Sequence, residues 1–268
     1  MGNVADLAQC RRARPLLGTL VEIQARGAGA AEAVRTAFGQ IEEIHRLMSR
    51  YEPASDIGRF NAAPVGWPIE MDVRTLAVLA VAAELQVASD GAFDCERSPA
   101  QSPSGCPGWT LEGAVLRKHR QVRLDLGGIA KGYAVDCAIE ALRSFSLDYA
   151  LVNAGGDMRH AGAAPARVAL REPGSPARTA MMWQLDNAAL ASSSVGGLAP
   201  PPGAAPRIFS RREPLELPAA AGATVLAPSC MLADALTKVV LVCRAPRHPL
   251  LARYGACTLL YRDGKLRG

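Results

Sequence analysis

The sequence predicts an α+β fold, a single domain with an antiparallel-rich mixed sheet and flanking helices. Three observations lead there. The first third holds two helical patterns, while the C-terminal half runs through several strand patterns in succession, without the strict strand-helix alternation of a parallel sheet. Hydrophobic residues make up 49% of the 268-residue chain and charged residues 21%, as in an ordinary globular protein. That length supports one well-buried core, and with aromatics at only 5%, aliphatic side chains and alanine must build most of it.

The elements follow in order. A first strand fits Thr19 to Ala25, where Val21, Ile23 and Ala25 alternate with Glu22 and Gln24. A helix fits Ala30 to Arg50, with Val34, Phe38, Ile41, His45 and Met48 forming one stripe at three- and four-residue spacing. A second helix fits Asp72 to Ser89; Asp72 can cap its start and Gly91 lies just past its end. Gln121 to Leu126 alternates, with Val122, Leu124 and Leu126 on one face, and a helix fits Ala130 to Ser144. Strands then fit Tyr149 to Asn153, Ala166 to Arg171, Met181 to Asp186, Ala189 to Ser192 and Ala223 to Leu226. A helix from Cys230 to Leu241 and a strand from Cys257 to Tyr261 close the chain. Proline-rich stretches at Pro99–Trp109 and Pro200–Pro206 read as surface loops. Residues 1–14 are expected to be a flexible terminus and residues 15–268 the folded domain.

The formal net charge of +5 suits an anionic small molecule. The basic residues are scattered and do not alternate with aromatics, so a nucleic-acid partner is not expected; Arg11, Arg12 and Arg14 read as a solvated cluster. The seven cysteines form no C-x-x-C pair, which disfavours a zinc ribbon or a redox motif. No apolar run reaches the ~20 residues of a membrane span. Met1 to Arg14 contains no apolar signal core, so the expected setting is cytoplasmic.

The segment with the most chemistry is Val122–Asp136, VRLDLGGIAKGYAVD. A strand carries an aspartate near its end, two glycines make a tight turn, and a helix begins with a lysine in its first turn. Glycines let the backbone approach a ligand, and a helix N-terminus offers free N–H groups and a positive dipole end to an anion. Lys131 adds a full charge, and the composite is a phosphate-binding device. It is not a Walker A loop: Gly127 and Gly132 have the right gap, but Tyr133 stands where that motif has lysine.

Further blocks line up along the chain: Leu17-Gly18-Thr19, the run from Met48 to Asn61 (MSRYEPASDIGRFN), Ser89–Asp94 (SDGAFD), LDLGGIAKGYAVD itself, Leu151–Asp157 (LVNAGGD) and Ala233–Leu236 (ADAL). In this order they resemble the motifs of the ApbE-like family of FAD:protein FMN transferases. The resemblance implies binding of FAD with a magnesium ion at its pyrophosphate. A threonine or serine hydroxyl of an acceptor flavoprotein attacks the FMN phosphorus, and AMP leaves. It further implies that Leu17 and Tyr51 line the flavin or adenine pocket, that Ala92, Phe93, Asp94, Asp125 and Ile208 contact FAD, and that Lys131 faces the phosphates. By the same resemblance Gly128, through its carbonyl, Asp234 and Thr237 hold the metal, and Asp234 and Lys131 form the catalytic pair.

The chain departs from the family's pattern in four places. The threonine that usually follows the metal aspartate by four residues is Lys238 here, while Thr237 sits one residue earlier; on a helix that step turns the side chain by about 100°. Ser192-Ser193-Ser194 stands for a T-S-G, Arg207–Arg211 for a block that normally carries a histidine, and Cys95-Glu96 for proline-threonine. Two other activities therefore stay open beside transfer: flavin binding without turnover, and FAD hydrolysis to FMN and AMP. Plainer roles also stay open for single residues. Phe93 fits a core position, Asp94 a turn, Asn153 the closure of the turn before Gly155, Asp136 a surface ion pair on its helix, and the histidines structural or solvated places.

Overall fold

The computed structural model describes residues 8–97, 106–173, 175–194, 221–262 and 265–267. In chain order the elements are β1 (Gln9–Leu16), β2 (Thr19–Gly27), α1 (Ala30–Met48), α2 (Asp56–Ala62), β3 (Pro68–Glu70), α3 (Val73–Ala88), β4 (Glu96–Arg97), β5 (Trp109–Glu112), β6 (Val115–Lys118), β7 (Arg123–Leu124) and α4 (Ala130–Arg143). They continue with β8 (Leu147–Ala154), β9 (Asp157–Gly162), β10 (Ala166–Glu172), β11 (Ser175–Leu185), β12 (Ala189–Ser194), β13 (Gly222–Ala227), α5 (Cys230–Cys243), α6 (Pro249–Arg253), β14 (Cys257–Arg262) and β15 (Lys265–Arg267).

An eight-stranded sheet in the order β1-β2-β8-β9-β12-β13-β14-β15 organises the molecule, and every neighbouring pair in it is antiparallel. Helix α4 packs against both α1 and α5, and all three lie on the strands. Their apolar stripes and alternate strand residues, among them Ile23, Val152, Ala191 and Val225, share one large core. The intervening residues of the same strands, such as Leu151, Met158 and Leu190, face a second, smaller core that is closed by the β10-β11 ribbon. The period of two along each strand thus feeds two layers. The α+β architecture read from the sequence is the observed one.

Several details differ from the sequence reading. Residues 9–14, placed there in a flexible terminus, belong to β1 and pair with β2 from Gln9↔Arg26 onward. Arg11–Glu22 at 2.6 Å supports the pairing, and Arg14–Glu42 at 2.8 Å ties β1 to α1. The run around 121–126 contributes only the two-residue β7, because its partner β4 is equally short. Val122, Leu124 and Leu126 are nevertheless buried, and Asn61 takes the place of a further strand: its side chain accepts from the Leu124 N–H at 2.6 Å and donates to the Leu124 carbonyl at 3.0 Å. On α1 the inner face runs through Ile44 and Leu47, and His45 lies at its margin. Two proline-rich loops of the sequence reading fall wholly or partly outside the described residues: 200–206, and 98–105 of the first.

Asp72 caps α3 as expected, accepting the Arg74 N–H at 2.9 Å. Its carboxylate also meets the Arg74 side chain, which reaches Glu43 of α1 at 3.0 Å. Hydrogen bonds from Arg74 outweigh burial and hold Asp72 down at about 2. Glu43 also sits at about 2, through its bond to Arg46 against burial. A carboxylate depressed in the folded state contributes stability above its unfolded value and loses it as pH falls through the folded one. Asp72→Asn keeps a capping side chain and removes the charge. It is expected to cost up to ~1 kcal/mol at neutral pH. In thermal melts the gap between wild type and variant should close between about pH 4 and pH 2.

Candidate active site at one end of the sheet

Tight turns gather at one end of the large sheet. The hairpin between β1 and β2 turns at Leu17 (φ 55°) and Gly18 (φ 70°), both left-handed, as a two-residue antiparallel hairpin prefers. Beside it the β8-β9 hairpin turns at Gly155-Gly156, where the Gly156 N–H donates to Asn153 Oδ1 at 2.9 Å. Asn153 therefore does close that turn. The first residue of β9 is Asp157, 1% exposed. The N-terminus of α4 arrives at the same end and brings Lys131.

Helix α5 crosses α4 at very close range. A Cβ on Gly132 would stand 2.2 Å from the Cys230 carbonyl oxygen, so only glycine fits there. One turn on, Asp136 accepts the N–H groups of Cys230 and Met231, each at 2.9 Å, and meets Arg159 at 3.0 Å. The sequence reading placed Asp136 in a surface pair. It is instead a buried cap on the N-terminus of the neighbouring helix, because a carboxylate inside the fold needs donors and α5 presents two free N–H groups there. Gly132→Ala is expected to push the helices apart and cost about 1–3 kcal/mol, read as a lowered midpoint in urea unfolding.

This crossing brings four charges together. Asp234 on α5 is fully buried. Its Oδ2 accepts from Lys131 Nζ at 3.3 Å and from the Gly132 N–H at 3.3 Å, and its Oδ1 is paired with Lys238 Nζ. Lys238 also donates to the Asp234 carbonyl at 2.9 Å. Lys131 bridges onward to Asp157. Two carboxylates and two ammoniums thus interleave as Asp157–Lys131–Asp234–Lys238. Burial works against the Lys131 ammonium, yet Asp157 and then Asp234 outweigh it and raise its pKa. Burial also pushes Asp157 up, with the Asp234 charge adding to it. For Asp234 the two lysines overcome burial and hold the carboxyl ionised, below its ordinary value.

The glycine turn lies against this cluster. The Lys238 Cε would be 3.5 Å from a Cβ on Gly128, and the Phe93 ring 3.7 Å from it. Ala92 and Phe93 are buried, and Phe93 is a core residue that also walls the turn. Asp94 accepts the Glu96 N–H at 2.7 Å in a local turn. Asp125 accepts the Gly127 N–H at 3.0 Å and holds Arg97 at 2.6 Å and Arg50 at 3.2 Å. The Arg50 guanidinium lies 4.2 Å over the Tyr51 ring, and Tyr51 is 75% exposed. Tyr51 is therefore a surface-facing rim residue on the same arginine that Asp125 grips. Leu17 is half-buried and packs on the core at the tip of its hairpin. Ile208 and the 207–211 block lie outside the described residues.

Three participants were not carried from the sequence as site residues. Asp157 ends a block quoted above, and an acid directly after Gly-Gly was the signal. Ser193 meets Thr237 hydroxyl to hydroxyl at 2.7 Å. Arg97 had no signal at all, since its pairing with Asp125 spans 28 residues. Beside Asp157 a cavity of about 200 Å3 is lined by Gly155, Gly156, Ser192, Ser193, Thr224 and Tyr261 among others. That is below the ~300–1,000 Å3 of pockets that enclose an organic ligand, so it suits one part of a larger molecule.

The residues expected to hold a magnesium ion do not fit it as they stand. Magnesium wants several free oxygen ligands in octahedral array. Both Asp234 oxygens are engaged by ammonium or N–H donors. The Thr237 hydroxyl donates to the Asp234 carbonyl at 2.7 Å and pairs with Ser193, so it is tied to its own helix and to β12. Among the described residues no three His, Cys, Asp or Glu side chains form a metal-holding group. Unit charges 4 Å apart near a protein surface interact by about 4 kcal/mol, and a divalent ion beside an ammonium doubles that as repulsion.

The ApbE family model matches residues 17–106 and 101–258 of the chain. A protein of Vibrio cholerae named FAD:protein FMN transferase is 27% identical over 192 residues, which cover 59% of this chain and 58% of that one. A protein of the same name from Haemophilus influenzae is 29% identical over 189 residues, covering 57% and 55%. The match thus spans little more than half the length of these relatives. The crystal structure of the ApbE protein from Thermotoga maritima superposes with a TM-score of 0.84 at 21% identity, covering 97% of this chain and 96% of that one, and so shares its fold.

Proposed function

The chain belongs to the ApbE family, and from that membership we propose that it binds FAD and moves the FMN moiety onto a threonine or serine hydroxyl of an acceptor flavoprotein, releasing AMP. The observation that carries this reading is the Asp157–Lys131–Asp234–Lys238 cluster at the start of α4, beside the Gly127-Gly128 turn. The pyrophosphate lies at the start of α4 beside the Lys131 ammonium, where the helix dipole favours an anion. Asp157 and Asp234 orient that ammonium. Asp125 secures the turn and keeps Arg50 and Arg97 beside it, on the side where Tyr51 offers an exposed ring.

In the reaction the acceptor hydroxyl oxygen bonds to the FMN phosphorus while the bond to the bridging oxygen breaks. AMP departs with that oxygen, and one proton is released. Phosphoryl transfer of this kind asks for positioning and for neutralisation of developing charge, and Lys131 with the α4 N-terminus supplies both. The engaged state of Asp234 favours one second reading, a flavin-binding protein without turnover.

Chromatography of the purified protein with FAD, with and without a flavoprotein carrying an acceptor threonine, separates the readings. AMP in proportion to acceptor-bound FMN supports transfer. AMP without acceptor marks a hydrolase, and retained FAD without AMP marks the binder. FAD neither retained nor cleaved removes the reading altogether.

A further inference from the structure

We propose that the Lys238 ammonium is a built-in cation, occupying the place at Asp234 that the family resemblance gives to magnesium, so that the site binds its dinucleotide substrate without a divalent metal. The inference rests on the FAD reading above for the substrate, but the geometry that carries it is internal to the protein. Lys238 contacts Asp234 twice, at Oδ1 and, at 2.9 Å, at the main-chain carbonyl. It follows the aspartate by four residues, the order in which an acid and a lysine pair best on a helix. Its alkyl stem reaches to Gly128, the residue whose carbonyl was expected on the metal, and the Lys238 Cδ and Cε would stand 3.9 and 3.5 Å from a Cβ there. The stem therefore lies against the expected glycine, and the ammonium at its end sits on the expected carboxylate ligand. The side chain is 16% exposed against 0% for Asp234, so the pair is largely withdrawn from solvent.

Charge bookkeeping points the same way. Asp157 and Asp234 are matched by Lys131 and Lys238, so the cluster is already neutral. A divalent ion would have to evict one ammonium from a buried carboxylate, and a tethered cation needs no dissolved metal to compete with it. Thr237, turned to Ser193 and to its own helix, is the second sign that this end of α5 is not arranged around an ion.

Calorimetric titration of Mn2+ into chelator-stripped protein, without flavin, tests the assignment. Wild type is expected to show no saturable binding up to millimolar Mn2+. Lys238→Thr is expected to gain a site that is lost again when Asp234→Asn is added. Saturable binding by wild type that Asp234→Asn abolishes overturns the proposal even if Lys238→Thr fails to fold, and so does a folded Lys238→Thr that gains no site. FAD affinity of wild type should agree within about twofold between saturating Mg2+ and EDTA, whereas a loss of ~10-fold or more in EDTA would contradict it. A protein that fails to bind FAD in either buffer sinks the functional reading, while the Mn2+ result still decides the role of Lys238.

Discussion

Asp234→Ala is expected to abolish AMP release from FAD and to destabilise the protein by about 3–5 kcal/mol, the range for breaking a buried charge pair from one side. Asp234 is fully buried and satisfies Lys131, Lys238 and the Gly132 N–H together. Removing it leaves Lys238 without a carboxylate at the α4-α5 crossing and Lys131 with Asp157 alone. Asp234→Asn keeps the shape and an acceptor for Gly132 but not the charge, so it should recover part of the stability and none of the turnover. Urea unfolding beside the product assay separates the two effects. Wild-type turnover in Asp234→Ala would take this residue out of the chemistry.

Lys131→Met should be nearly as costly, again about 3–5 kcal/mol at neutral pH. It removes the cation that separates Asp157 from Asp234 and leaves Asp157 buried without its partner. Burial and the neighbouring Asp234 charge already raise the Asp157 carboxyl, and the variant lacks Lys131, which opposes them more strongly than Lys238 does. A group whose folded value lies above its unfolded one loses stability as pH rises through the folded value. The deficit of Lys131→Met should therefore be largest at neutral pH and shrink on acidification toward the unfolded carboxylate value of about 4. Urea midpoints across that range check it, and a deficit independent of pH would mean that Lys131 matters there only by packing.

Much of the fold was legible because its signals are local. The apolar stripe of α1 and the alternation of β2 show in windows of a few residues, as does the Asp72 cap. Strand β1 was missed because QCRRARPL carries arginines on an edge strand and resembles a solvated terminus; only its pairing with β2 makes it a strand. Asp136 was misplaced for a related reason. A mid-helix acid looks solvent-facing until another helix sets its N-terminus on it, and that helix begins 94 residues later.

The site divides in the same way. Lys131, Gly128 and Asp125 could be found because strand, glycine turn and helix start are contiguous in sequence. Asp157 and Asp234 gain their meaning from Lys131, which lies 26 residues from one and 103 from the other. Lys238 was visible as a departure from a motif, but only its contacts with Oδ1 and the main-chain carbonyl of Asp234 show what it displaces. Arg50 follows α1 and Arg97 lies on β4, and Asp125 pairs with both.

The charge cluster is proposed to hold the pyrophosphate of FAD. Fluorescence titration of wild type with FAD and with riboflavin at low salt tests it most directly, since the two ligands share the isoalloxazine and differ in the phosphates and adenosine. FAD is expected to bind about a hundredfold more tightly, inorganic pyrophosphate to compete with it, and Lys131→Met to remove most of the difference. Equal affinity for FAD and riboflavin, undisturbed by pyrophosphate, would contradict it.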